Sequence, residues 1–140
     1  MDNFKLDKDI DLCCVKAASF PDGIGEAHKK MNSIFKGDGR RRFGVSYSYD
    51  DRILYMAGEE IMKSEKIPPG FERYILREGS YFSFYIQDFP NNISQIEKSF
   101  SILTNDPRID ENGCCVECYF PEGAKFENAK DVRCMVRIAD

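Results

Sequence analysis

The chain contains no tryptophan and a single histidine, His28. It has no apolar run long enough to span a bilayer. One histidine cannot supply a His-rich zinc site or an H-E-x-x-H helix. G-x-S-x-G, the P-loop and the Rossmann glycines are also missing, so the commonest hydrolase and nucleotide-binding classes find no support. GIGEAH (23–28) opens a helix but lacks phosphate-loop spacing. The first residues, MDNFKLDKDIDL, lack the basic start and apolar core of a signal peptide, and a cytoplasmic location is expected. The net charge is −4, which gives no general attraction to nucleic acid or to acidic membranes. The basic run Arg40–Arg42 reads as a solvated loop end. The segment before the first strand is too short for a helix-turn-helix. Neither direct nucleic-acid binding nor a membrane partner is expected.

What is present describes one globular domain over 1–140. The 140 residues are 42% apolar and 31% charged, enough for a single core. Six cysteines occur: Cys13, Cys14, Cys114, Cys115, Cys118 and Cys134. Cys115 and Cys118 have C-x-x-C spacing, which suits zinc or redox chemistry. The surrounding GCCVECYF reads as a strand, where residues three apart point to opposite faces. The expected reading is free, buried, apolar-like thiols, with no metal and no cofactor.

A repeat organises the chain. FPDGIGEAHKKMNSIF (20–35) and FPNNISQIEKSFSILT (89–104) align without a gap at an offset of 69 (89 minus 20). Ile24, Ala27, Met31 and Ile34 fall opposite Ile93, Ile96, Phe100 and Leu103. This spacing predicts one face of a helix in each segment. Asp22 and Asn91 are candidate acceptors for backbone N–H groups at the helix starts. On this phase His28 lies beside the apolar stripe and is expected to face solvent.

The segments before the helices, 11–20 and 80–89, read as strands. GVSYSY (44–49) and RILYMAGEEI (52–61) follow the first helix; GCCVEC (113–118) and VRCMVRIA (132–139) follow the second. Each half, about 10–61 and about 70–139, thus reads strand-helix-strand-strand, with IPPGFE (67–72) as the joint. The predicted fold class is α+β. Two halves share an antiparallel sheet with helices packed on it, and a ligand cleft lies between the pseudo-symmetric halves.

Glu117 is the candidate centre of that cleft. Alternation puts Cys115, Glu117 and Tyr119 on one face of their strand and Cys114, Val116, Cys118 and Phe120 on the other. If the first face lines the cleft, a carboxylate stands among tyrosines. It would attract lipophilic cations, or stay protonated and act as a general acid or base. If it does not, Glu117 is a solvent-facing edge-strand residue. Tyr47, Tyr55, Tyr85 and Tyr119 are the candidate aromatic wall; ordinary half-buried strand tyrosines would look the same.

Short motifs in order resemble the GyrI-like small-molecule-binding domains, which include gyrase-inhibitor proteins and the effector-binding domains of multidrug-sensing transcription activators. They are Gly44-Val45-Ser46-Tyr47, Tyr55-Met56-Ala57-Gly58, Ile67-Pro68 with Gly70, Gly79-Ser80-Tyr81 and Glu117-Cys118-Tyr119. Met56 stands where the family usually has Asp, and tryptophan is absent. The resemblance implies a duplicated strand-helix-strand-strand fold and assigns Glu117 to the family's pocket glutamate. It implies a stand-alone domain that binds hydrophobic or cationic small molecules, for sensing or sequestration. It carries two alternatives. One is a hydrolase of cyclopropane-bearing or similar electrophilic toxins, with Glu117 catalytic. The other is a protein-interaction role with gyrase or a separately encoded regulator. A related fold binds haem, for which His28 alone offers a ligand.

Overall fold

The computed structural model describes residues 1–35 and 39–140. Among them are eight strands and two α-helices. The first half holds β1 (Asp2–Leu6), β2 (Ile10–Lys16), α1 (Ile24–Met31), β3 (Arg42–Tyr49) and β4 (Arg52–Glu60). The second holds β5 (Glu72–Leu76), β6 (Gly79–Ile86), α2 (Ile93–Thr104), β7 (Cys115–Phe120) and β8 (Asp131–Arg137). The eight strands form one curled antiparallel sheet in the order β1-β6-β8-β7-β3-β4-β2-β5. The architecture is α+β, as expected.

Two cores follow from the strand alternation. On the face without helices, Leu12, Cys14, Phe43, Val45, Met56, Val116 and Met135 pack with Leu6 and Leu76 from the edge strands. Curling of the sheet lets both edges reach this cluster. On the other face, α1 sets Ala27 and Met31 against Cys13, Val15, Tyr55 and Ala57. There α2 sets Leu103, with Ile96 and Phe100, against Phe82, Val132, Cys134 and Val136. A fully buried aliphatic side chain such as Leu12, Val45 or Leu103 contributes roughly 1.5–3 kcal/mol.

The β3–β4 hairpin fixes what faces α1. Its two-residue turn, Asp50–Asp51, has φ of 48° and 60°, the left-handed geometry that matches strand twist in tight hairpins. The resulting register pairs Ser46 with Tyr55 and Tyr47 with Leu54. Cross-strand partners share a face, so Tyr55 and Tyr47 lie on opposite sides of the sheet.

Several expectations change. Helix α1 ends at Met31 rather than near residue 35, and Ile93 is exposed at the start of α2. Gly23 and Asn92 flank the helix starts, not Asp22 and Asn91, and neither makes a side-chain cap bond. The edge strands β1 and β5 were not expected: each buries one residue of five, too little for a local pattern to stand out. The run Arg40–Arg42 is not a solvated loop end. Arg42 is a buried residue of β3 whose Nη2 meets Glu59 at 2.6 Å. Arg41 pairs with Glu60 and Arg40 with Glu65. Three cations so close stay in the fold because three carboxylates on or near β4 neutralise them.

Candidate functional site: a one-carboxylate aromatic cluster on the helical face

Strand β7 is central, between β3 and β8, so Glu117 is not an edge-strand residue. Its ladder partners are Gly44 on β3 and Cys134 on β8. The predicted alternation holds: Cys115 and Tyr119 join the helical-face core, whereas Cys114, Val116, Cys118 and Phe120 join the opposite one. Glu117 is half-buried. Burial of its carboxyl pushes the pKa up to about 7, against the pull of a hydrogen bond that Tyr119 Oη donates to Oε1 at 3.2 Å. Among the described residues no cation comes within ion-pairing distance of it.

A chain of polar contacts runs inward from this carboxylate. Tyr119 Oη and Tyr55 Oη are 2.8 Å apart, and Tyr55 Oη is 2.8 Å from His28 Nε2. His28 Nδ1 is 3.5 Å from Arg42 Nη1, which also donates to the His28 carbonyl oxygen at 3.3 Å. Arg42 closes on Glu59. His28, Tyr55 and Tyr119 are almost without solvent exposure. Burial, with the charge of Glu117 adding to it, holds both phenols well above their ordinary range, so they stay neutral. Burial, reinforced by Arg42, lowers His28 to about 3, so its imidazole is neutral too.

Aromatic rings enclose the chain. Phe126, in the 121–130 segment between β7 and β8, stacks on His28 at 4.2 Å and meets Tyr119 edge-on at 5.1 Å. Phe20 lies 6.1 Å from Tyr55 and Phe89 5.7 Å from Tyr119, so the two Phe-Pro residues of the repeat flank the pair of phenols. Phe20 is 43% exposed and offers this cluster an apolar surface. A cavity of about 480 Å³ opens beside it, bounded by Ala17–Phe20 and Asp51–Tyr55.

The structure therefore brings together three of the five predicted site residues: Glu117, Tyr119 and Tyr55. It separates the other two. Tyr47 packs on the opposite face, in the wall of an open cavity of about 840 Å³ with Tyr74, Met56 and Cys114. Glu117 lines neither that cavity nor the 480 Å³ one, which reaches the cluster only at Phe20 and Tyr55. The unpaired carboxylate, not the larger volume, marks the candidate site, because cavity size alone identifies no chemistry. Tyr85 is 40% exposed; its hydroxyl donates to Asp131 at 2.8 Å, and the Arg133 guanidinium lies over its ring. His28, expected to face solvent, is instead fully buried at the inner end of the chain. The signal was available: position 28 is four residues after Ile24 and three before Met31, inside the inward stripe of α1.

The six cysteines are free thiols. Among the described residues no group of His, Cys, Asp and Glu has the arrangement to hold a metal ion. No described helix is long and apolar enough to cross a membrane. No family model and no curated protein matches the sequence. The fold is similar to a solved structure described as "Crystal structure of a hydrolase from Listeria innocua", with a TM-score of 0.55 and 9% identity. The match covers 99% of this chain and 91% of that one. At such identity the likeness speaks to the fold alone.

Proposed function

We propose that the chain is a GyrI-like binding domain that captures hydrophobic cations at Glu117. The observation carrying this reading is a half-buried carboxylate that lies among neutral aromatic groups with no cation paired to it among the described residues. A positive charge arriving beside such a group offsets the desolvation that one hydrogen bond leaves uncompensated, and the phenol and phenyl faces add cation–π attraction. The exposed Phe20 ring and the 480 Å³ cavity beside Tyr55 supply apolar area of the size small ligands use.

On this reading the chain is a duplicated unit, β2-α1-β3-β4 and β6-α2-β7-β8, with its ligand cleft at the junction. The strand order supports it: outward from the β3–β7 pair the sheet runs β4-β2-β5 on one side and β8-β6-β1 on the other. The two helices begin at Ile24 and Ile93, 69 residues apart (93 minus 24). Glu117 stands on the seam, opposite Gly44.

The test is a fluorescence titration of matched cationic and neutral aromatic dyes against the native chain and Glu117→Gln. Loss of the charge should weaken the cationic dye by about 1–3 kcal/mol, the scale of a charge-assisted contact, and the neutral dye much less. Equal losses, or none, would refute the anchor role.

A second reading, a hydrolase of strained electrophiles, draws on the Glu117 pKa of about 7, which suits a general base near neutrality. Turnover of a cyclopropane-bearing compound, abolished in Glu117→Gln, would favour this reading over capture.

A further inference from the structure

We propose that His28, held in one tautomer by Arg42, sets the direction of the hydrogen bonds that run through Tyr55 and Tyr119, and so acts as the positioning residue that keeps Glu117 an acceptor. The inference deepens the ligand role proposed for Glu117 and uses groups that role leaves unexplained.

The direction follows from what each group can donate. Arginine only donates. With Arg42 Nη1 facing His28 Nδ1 at 3.5 Å, that nitrogen must carry its lone pair, because a proton there would point at an N–H. The neutral ring then holds its proton on Nε2 and donates to Tyr55 Oη at 2.8 Å. Tyr55 has one proton left to give, and it goes to Tyr119 Oη at 2.8 Å. Tyr119 in turn donates to Glu117 Oε1 at 3.2 Å. Every O–H and N–H in the series points the same way, from the buried Arg42–Glu59 pair toward the half-exposed carboxylate.

The reverse polarity is closed off. A protonated Glu117 donating to Tyr119 would turn both hydroxyls and force Nδ1 to carry the imidazole proton, against Arg42. Phe126, stacked on the ring with planes 4° apart, opposes any tilt of the imidazole away from these partners. Gly44 keeps the path clear, because a Cβ there would overlap the Tyr55 hydroxyl. The titratable groups around Glu117 are Tyr119 and Cys115 on its own strand, Tyr55 on β4 and Cys134 on β8. Burial raises all four, so none carries charge near neutrality. The oriented chain is thus the counterweight to desolvation of the carboxyl.

NMR tests this without any ligand. Imidazole ¹⁵N shifts give the tautomer of His28, and the δ-carbon shift of Glu117 gives its titration midpoint. The native protein should show the Nε2–H form. His28→Phe and Tyr55→Phe should each raise the Glu117 midpoint by about 0.5–1 pH unit. His28→Gln should leave the midpoint near native, because an amide donates to Tyr55 and accepts from Arg42. The double variant should shift no further than either single one, as expected for two residues acting through one chain. An Nδ1–H tautomer, an unmoved midpoint in a folded His28→Phe protein, or additive shifts would overturn the proposal. If His28→Phe does not fold, the tautomer and the Tyr55→Phe midpoint decide. Failure of cation capture would leave these shifts intact, and a wrong direction would leave cation capture intact, so the two ideas fail separately.

Discussion

The ring of Tyr55 fills the volume that a side chain at Gly44 would need. A Cβ built on Gly44 would overlap the Tyr55 hydroxyl and lie 2.7 Å from Cζ. The glycine is therefore part of the candidate site's packing, although it carries no functional group. Gly44→Ala should displace Tyr55 from both His28 and Tyr119. The cost of overpacking a close-fitted core is about 1–3 kcal/mol, readable as a lowered urea midpoint. A native midpoint with the Tyr55–His28 contact intact would show that the backbone gives way more easily than the ring.

Glu117 and His28 should impose opposite pH dependences on stability. Raised from an ordinary 4.5 to about 7, Glu117 holds its proton more tightly folded than unfolded. Its stabilising contribution is complete below about 4.5 and is lost as pH rises through about 7. Lowered from 6.5 to about 3, His28 resists the proton that the unfolded chain accepts. Its contribution is present above about 6.5 and is lost as pH falls through about 3. Between about 4.5 and 6.5 the two slopes oppose each other. Thermal melts across this range should show Glu117→Gln gaining on the native protein from pH 5 to pH 8. The native protein should lose ground to His28→Gln from pH 6.5 to pH 3. Constant differences at all pH values would contradict both assignments.

The ion pairs beside the site should differ sharply in worth. Arg42 and Glu59 have side chains 4% and 8% exposed and meet at 2.6 Å. Glu59→Ala leaves a guanidinium without its closest carboxylate in a buried setting and should cost about 3–5 kcal/mol. Arg41 and Glu60 are also close, at 2.7 Å, but 29% and 32% exposed. Glu60→Ala should cost below about 1 kcal/mol. Parallel urea unfolding of the two variants measures the contrast, and equal costs would mean that burial is not what separates them.

Two tyrosines should prove irrelevant to Glu117. Tyr47 belongs to the opposite face and Tyr85 is held to Asp131. Tyr47→Ala and Tyr85→Ala should leave the affinity of a cationic dye within about twofold of native, a change of less than about 0.5 kcal/mol. Tyr119→Ala should weaken it clearly. A large effect from Tyr47 would move the binding site to the 840 Å³ cavity on the other side of the sheet.

Local periodicity carried far in this chain. The spacing around Ala27 and Met31, and around Ile96, Phe100 and Leu103, marked both helices and most of their buried faces. The alternation in CVECYF correctly put Glu117 and Tyr119 together. The same reasoning misjudged His28 because it treated the stripe as apolar residues only. A buried face is defined by angle on the helix, and a polar residue within that angle is buried if it finds partners, as His28 does with Tyr55 and Arg42. The C-terminal end of α1 and the two edge strands were missed for want of a strong local signal.

By itself the sequence determined the type and phase of the main elements, since these depend on residues a few positions apart. It also placed Glu117 and Tyr119 side by side, because a strand two residues apart repeats its face. Only the tertiary structure decided which tyrosines join them. Tyr55 comes from β4 and reaches the site through the parity of a two-residue turn and across a glycine, while Tyr47, eight residues earlier, is sent to the far face by the same register. The conversion of Arg42 from an apparent surface cation into the buried partner of Glu59 and His28 was likewise decided across the sheet. A charge can be buried only where distant residues supply its counter-charge and hydrogen bonds, and chain neighbours cannot announce partners that folding alone brings near.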